Sequence, residues 1–276
     1  MSSPGATERR SGLAAVTGAE PGRRVDFFKR DVIANAVVVL AIIVAMQLWS
    51  EVVPPYIMPP PALSGEAILN ALGQDYVHIL LTVTRLTVAV VFALVVGSAL
   101  GALMALVRPL QPFLKSIIVI DTGVPALSWM LFAIFWFKAP EARVFFILAM
   151  ILLPFYALNV ADGIRALSRD LVEMVETFRP TRWQLFRLLI VPHIVPYILM
   201  TTRSIIGYAT RMTVFAELVS VSTGIGARMG LAQSNFQMEG VIAWTVVLIV
   251  LNLLIQALVA GAERSLLRWR PEVSVR

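Results

Sequence analysis

The chain has 276 residues, of which 58% are hydrophobic and 14% are charged, and its mean hydropathy is +0.82. An ordinary soluble domain is about 45–50% apolar and about 25% charged. These values exclude a typical soluble enzyme and a largely disordered protein, and they indicate several membrane spans. The net charge of +6 comes from Lys and Arg residues that flank apolar runs, which is typical of a membrane protein and not of a nucleic-acid-binding protein. The absence of cysteine excludes disulfides, thiol catalysis and thiolate metal sites.

The apolar runs predict an all-α membrane protein with six transmembrane helices. Residues 1–31 begin with a stretch rich in Gly, Ser, Ala, Arg and Pro, which predicts a disordered cytoplasmic tail. Residues 32–270 contain the spans, and residues 271–276 are a second cytoplasmic tail. About 20 apolar residues cross a bilayer, and every run but the second and the fifth is close to that length. The predicted spans are 32–49, 78–107, 117–137, 144–161, 188–221 and 241–262.

Two features of these runs predict local structure. The third run is interrupted by Gly123 and Pro125, and such a break is tolerated in a membrane only where protein or a cavity covers the freed backbone groups. The second run carries Gly97, Ser98 and Gly101, which permit a close helix approach. That approach suits either packing inside the chain or a seam between two copies.

The distribution of Lys and Arg predicts the orientation. With both termini in the cytoplasm, 17 of the 23 basic residues fall in inside segments and three in outside loops. This asymmetry follows the positive-inside rule. His78 and His193 then lie near opposite membrane faces, so we expect no metal site from them.

The segment 162–187, between the fourth and fifth spans, carries the clearest local pattern. Leu171, Met174, Val175 and Phe178 follow the spacing of an amphipathic helix. The helix is expected to stop near Phe178, because a residue before proline is disfavoured in the helical region. Such a helix either lies on the lipid headgroups or docks a cytoplasmic partner.

A second helix is predicted directly after this break. Thr181 and Gln184 have the spacing of a capping box, so a helix should begin there and continue into the fifth span. Arg179 precedes Pro180, and we expect Arg179 at negative φ, with the break made by the proline.

This segment and several others resemble the membrane-spanning subunits of type I ABC importers, most closely the nitrate, sulfonate and taurine permeases. That family has a loop of the form E-A-A, three residues, G, nine residues, I-x-L-P. Here Glu173 is followed by Met174 and Val175, Arg179 stands at the glycine position, and Leu189 begins the final four residues. Other matching stretches are 125–141, 182–198, the Ala-Glu-Leu triplet at 216–218, Gly224, Gly226 and the basic tail at 267–269.

The resemblance implies a type I importer permease fold with a short coupling helix between the fourth and fifth helices. It implies a dimer of ABC ATPase subunits, a second permease copy (a homodimer rather than a heterodimer), an extracytoplasmic solute-binding protein and a place in the inner membrane. ATP and Mg would be bound by the ATPase, because this chain has no Walker A loop, and the chain itself would not be an enzyme. The implied ATPase-coupling residues are Leu171, Glu173, Met174, Val175, Phe178, Arg179, Pro180 and Arg182.

Arg179 and Pro180 depart from the family pattern, in which a glycine is followed by a small residue. Either the turn is made differently and docking persists, or docking is weakened. Because the apolar stripe before the turn is intact, we favour retained docking. Arg179 could also pair with an acidic group of the partner.

Charged residues inside spans are costly and mark either a pathway or an ion pair. Asp121 precedes the break in the third run, and the alternative to a pathway role is a pair with Arg203 or Arg211. Arg211 and Glu217 are six residues apart, so on a regular helix they do not share a face. The candidates for the translocation pathway are Asp121, Trp129, Arg203, Arg211 and Glu217, and Arg85 is a further charged residue in a span.

We expect the solute to be a small organic or inorganic anion such as a sulfonate, nitrate or an aromatic acid. Other functions remain as alternatives. An ion-gradient-driven secondary transporter would often show two similar halves, and no internal repeat is visible. A membrane enzyme would need a nucleophile and base, and no such motif is present. A non-transporting scaffold would dock a partner without moving a solute.

Overall fold

A computed structural model describes the backbone of residues 21–267 and the side chains of residues 33–267. It divides into two units, 1–61 and 62–276. In the first unit, helix α1 (Pro21–Ser50) contains a stretch, Ile33–Ser50, that is long and apolar enough to cross a membrane. The sequence predicted a disordered tail as far as residue 31, but helix α1 already begins at Pro21. The rest of that tail, residues 1–20, and the basic C-terminal segment beyond residue 267 lie outside the described residues.

The second unit is built from helices joined by short connections. Every regular element in the described part of the chain is helical, which confirms the all-α fold class. The helices are α2 (Pro61–Gly73), α3 (Tyr76–Leu106), α4 (Gln111–Gly123), α5 (Ala126–Trp136), α6 (Pro140–Arg165), α7 (Arg169–Glu176), α8 (Arg182–Ser220), α9 (Ile225–Ser234) and α10 (Met238–Leu266).

The membrane spans agree with the sequence prediction. Helices α1, α3, α6, α8 and α10 are each long and apolar enough to cross a membrane, and the pair α4–α5 passes the same test together. This pair is bent by 96° at residues 124 and 125. Val124 is extended at φ −80°, ψ 123°, as expected for a residue before proline. The predicted break in the third span is therefore confirmed.

Helix α6 lies at the centre of the second unit. It packs against α3, α5 and α8, and its side chains Leu148, Leu152 and Tyr156 are fully buried. Gly97 and Gly101 of α3 face α6 so closely that a Cβ at Gly101 would overlap the Ala157 carbonyl oxygen. The small residues of the second span thus serve packing within this chain.

Candidate functional site

Helix α7 forms the segment that the sequence assigned to coupling. Ser168 is its N-cap and its Oγ accepts a hydrogen bond from Leu171 N at 3.4 Å. The helix ends at Glu176, two residues before the predicted stop. A polar N-cap and a short amphipathic sequence are sufficient to define this element locally.

The apolar side of α7 is uncovered within this chain. Leu171 is 42% exposed, Met174 55% and Phe178 81%. Val175 is partly buried, whereas Glu173 and Glu176 are exposed on the polar side. An apolar face of this kind, followed by an almost fully exposed Phe, is a surface that a partner or a membrane interface can cover.

The expectation that Arg179 has negative φ is wrong. Its φ is +47°, in the left-handed region where the family glycine would sit at no cost. The last turn of α7 tightens before it, since Phe178 N donates to Val175 O at 3.1 Å and Arg179 N to Glu176 O at 2.9 Å. A left-handed residue just after the last turn is a common way to end a helix, and an L residue in this region costs roughly 1–2 kcal/mol.

The helix after the turn begins as predicted. Thr181 and Gln184 form a capping box, in which Gln184 N donates to Thr181 Oγ1 at 3.3 Å and Thr181 N donates to Gln184 Oε1 at 2.8 Å. Arg182 is the first residue of α8 and is exposed. A wider π turn at Phe186–Ile190 precedes Pro192, whose ring cannot join the regular ladder. The α7 turn is therefore joined directly to a span that continues to Ser220.

Asp121 of α4 and Trp129 of α5 lie on either side of the break between these helices. Both line a cavity of about 140 Å³, together with Thr122, Phe155 and Tyr208. Asp121 Oδ1 is buried and makes no hydrogen bond within the described part of the chain. Asp121 and Trp129 thus line a cavity, and their place in a translocation pathway stays a prediction.

The alternative interpretation of Asp121, an ion pair with Arg203 or Arg211, is not found in the structure. Arg203 Nη1 binds Glu263 Oε2 of α10 at 3.0 Å. Arg211 Nε donates to the Gly207 carbonyl oxygen of its own helix at 3.1 Å. Arg203 and Arg211 are both exposed in the isolated chain.

Glu217 lies in a buried polar cluster. Its side chain is fully buried, and its Oε1 accepts from Arg85 Nη1 at 2.8 Å. Thr82 Oγ1 lies 2.9 Å from both carboxylate oxygens, and Gly226 N donates to Oε2 at 3.0 Å. This carboxylate is satisfied on all sides, as a buried charge must be.

Arg85 connects this cluster to two further elements. Its Nε and Nη2 donate to Glu141 of α6 at 2.7 and 2.6 Å, a bidentate pair. Its Nη1 also donates to the Thr223 carbonyl oxygen at 2.6 Å. Arg85 therefore ties α3 to α6, to α8 and to the connection between α8 and α9.

Several contributing residues were not singled out in the sequence. Thr82 was findable, because it lies one turn before Arg85 on the same helix. A second cavity, of about 570 Å³, lies along α6 and α8. The polar lining residues of α8 are spaced by four, three and four positions. This spacing places them on one face of the helix, and it can be seen in the sequence. The polar residues of this lining are Asn159, Tyr197, Thr201, Ser204 and Tyr208.

The two histidines make separate structural contacts. Gly224 N donates to His78 Nδ1 at 3.1 Å, and His193 Nε2 donates to the Gly163 carbonyl oxygen at 3.1 Å. Among residues 33–267, no group of three or more His, Asp or Glu side chains could hold a metal ion.

Comparisons with known proteins place the chain in one family. Residues 93–268 match the model of the binding-protein-dependent transport system inner membrane component. The chain is 23% identical to the taurine transport system permease protein TauC of Escherichia coli (strain K12), covering 81% of this chain and 84% of the relative. It is 28% identical to the riboflavin transport system permease protein RibX of Chloroflexus aurantiacus, covering 78% and 81%.

A solved structure supports the fold at low sequence identity. The crystal structure of a bacterial ABC transporter involved in the import of the acidic polysaccharide alginate matches with a TM-score of 0.60 and 15% identity, covering 88% of this chain and 99% of that chain. Since the family model covers more than half of the chain, the chain belongs to the binding-protein-dependent inner-membrane components and is a multi-pass permease subunit of an ABC importer.

Proposed function

We propose that this chain forms half of the membrane pathway of an importer for a small solute, driven by a separate ATPase that receives helix α7. The exposed apolar side of α7 carries this proposal. An ATPase groove that covers Leu171, Met174 and Phe178 removes this surface from water. The left-handed Arg179 supports retained docking, because the backbone keeps the turn that glycine makes in the family.

The connection from α7 to α8 transmits the motion of the ATPase. The turn contains only a few residues, and Pro180 and the capping box at Thr181 restrict it. ATP and Mg bind the ATPase pair, whose closure moves α7, and α8 follows as a continuous helix. The pathway then alternates between a state open to the cytoplasm and a state open to the opposite side. Each state is stabilised by the partner protein that binds it more tightly.

The pathway runs along the polar face of α8. This face lines the cavity of about 570 Å³ beside α6. Two copies of this chain enclose the path, with their termini in the cytoplasm as the Lys and Arg distribution indicates. An extracytoplasmic solute-binding protein delivers the solute to the opposite side.

The solute is a small organic or inorganic anion, such as a sulfonate, nitrate or an aromatic acid. The relative named for taurine transport supports a sulfonate. Arg211 supports an anion because its side chain is exposed within an apolar span. A guanidinium at that depth is costly unless it faces water, protein or a bound anion.

Affinity purification of the tagged chain from its native membrane tests the coupling proposal. We expect an ABC ATPase in stoichiometric amount, and Phe178→Asp should lower its recovery at least tenfold, because burial of a Phe contributes about 2–3 kcal/mol. Glu176→Gln, on the exposed polar side of the same helix, is the matched control and should leave recovery unchanged.

Two other results would change the proposal. Recovery of the chain alone, even with nucleotide and a crosslinker, would contradict docking and favour an ion-gradient-driven carrier. A second, different permease in the same sample would replace the homodimer by a heterodimer.

A further inference from the structure

We propose that the cavity at the break between α4 and α5 binds a cationic nitrogen group of the transported solute, with Asp121 as its counter-ion. The proposal rests on the transport function above and narrows its solute class. The cavity has a volume of about 140 Å³, and since a liquid water occupies about 30 Å³, it admits a group of a few heavy atoms.

The charge at the break is negative. The C-terminal end of α4 contributes about −0.5 of a charge and the N-terminal end of α5 about +0.5, so these two helix ends nearly cancel. The carboxylate of Asp121 adds a full negative charge.

No basic side chain of the described residues neutralises Asp121. Its Oδ1 is buried without a hydrogen bond. The Arg residues that the sequence places inside the predicted spans make other contacts: Arg85 with Glu141 and Glu217, Arg203 with Glu263, and Arg211 with the Gly207 carbonyl oxygen. An unpaired carboxylate at membrane depth is costly, and a cation that enters with the solute removes this cost.

The walls of the cavity favour an organic cation over a metal ion. Trp129, Phe155 and Tyr208 line it, and the rings of Phe155 and Tyr208 pack edge to face with centroids 5.8 Å apart. Aromatic faces attract ammonium groups. A hard metal cation takes six or more oxygen ligands, whereas one carboxylate with aromatic neighbours matches a protonated nitrogen.

This site predicts a solute with two charges. Tyr208 lines the cavity, and Arg211 follows it by three residues, about one helical turn, on α8. A small zwitterion can place its nitrogen at Asp121 and its anionic end towards Arg211. Nitrate and simple anions have no group for the first of these positions.

Fluorescence quenching of Trp129 tests the sign of the charge in the cavity. The full chain is placed in nanodiscs of neutral phosphatidylcholine, and the Trp129 signal is the difference between the wild type and Trp129→Phe. The probes are N-methylpyridinium as the cation, iodide as the anion and acrylamide as the neutral reference. We expect the cation to quench at least about threefold better than the anion, relative to acrylamide, for a unit charge close to the ring.

Variants assign this preference to Asp121. Asp121→Asn should abolish it, Asp121→Glu should retain it, and Asp162→Asn, in an exposed pair with Arg165, should leave it unchanged. Tetramethylammonium should compete with the cationic probe at concentrations at least tenfold below those of NaCl. Equal competition by NaCl would overturn the organic-cation assignment in favour of an inorganic ion.

The remaining outcomes are also decisive. Preference for iodide, no change in Asp121→Asn, or no quenching of Trp129 by any probe would overturn the proposal. Quenching does not depend on the ATPase, so a chain that copurifies with its ATPase but shows no cation preference remains a permease without this site. A chain with the preference that recovers no ATPase contradicts the importer function instead.

Discussion

Glu217 and Asp121 are both carboxylates in the membrane spans, and their surroundings are built in opposite ways. Glu217 is fully buried and accepts hydrogen bonds from Arg85, Thr82 and Gly226 N. Asp121 lies at a helix break with one buried oxygen unpartnered in the described chain and a cavity beside it. The first arrangement holds helices together, and the second leaves a charge for a ligand.

The two carboxylates differ in their hydrogen-bond partners, and this difference, not their depth in the membrane, distinguishes a structural charge from one that can bind a ligand. Both residues were candidates for the pathway on sequence grounds, because a charge in a span is costly wherever it lies. In a cluster whose polar groups all have partners, hydrogen bonds within the fold offset the cost of burying the charge. A carboxylate without partners keeps this cost until a ligand binds it.

Removal of the shared arginine should have the largest effect. Arg85→Ala leaves Glu217 buried without its counter-ion, and we expect a loss of about 3–5 kcal/mol in stability. Thermal unfolding of the purified chain in detergent measures it. Arg165→Ala, which removes the exposed pair with Asp162, is the control and should cost under about 1 kcal/mol. Equal effects of the two variants would refute a structural role for the cluster.

Neutralising the two carboxylates tests the comparison directly. Glu217→Gln should lower stability by about 2–3 kcal/mol, because it weakens charge-assisted hydrogen bonds to a buried arginine. Asp121→Asn should leave stability unchanged or raise it, because it removes an unpaired charge, while ATP-dependent uptake by the assembled transporter falls. The distinction fails if Asp121→Asn is the more destabilising of the two.

The glycine that donates to Glu217 permits a close backbone approach. A Cβ at Gly226 would overlap the Val214 carbonyl oxygen and lie 2.8 Å from Glu217 Cβ. Gly226→Ala should therefore cost about 1–3 kcal/mol through forced displacement of backbone. Gly65→Ala in α2, where no atom lies within 4 Å of the added Cβ, should be neutral or slightly stabilising. Similar melting temperatures for both variants would contradict this packing.

Helix α7 allows a smaller test at a third region, where the strain is in the backbone. Arg179→Gly removes the cost of a positive φ, about 1 kcal/mol, and should raise the stability of the chain slightly in thermal unfolding. Because the turn already has this conformation without the ATPase, ATPase binding in a titration of the purified subunits should stay unchanged. If binding weakens instead, the Arg179 guanidinium pairs with an acidic group of the ATPase.

The sequence predicted what depends on neighbours along the chain. Hydropathy located the spans, Gly123 and Pro125 located the break, and the pattern Thr181 to Gln184 located the start of α8. Each of these features follows from side chains within about one or two helical turns, so an isolated segment carries the information.

Only the tertiary structure decided which groups meet. Glu217 binds Arg85, which is 132 residues earlier. The alternative pairs of Asp121 do not form, because Arg203 binds Glu263 of α10 and Arg211 binds a backbone oxygen of its own helix. Arg179 adopts positive φ, although Pro180 alone predicted a negative value. Pairing depends on how distant helices pack, and no local pattern encodes that.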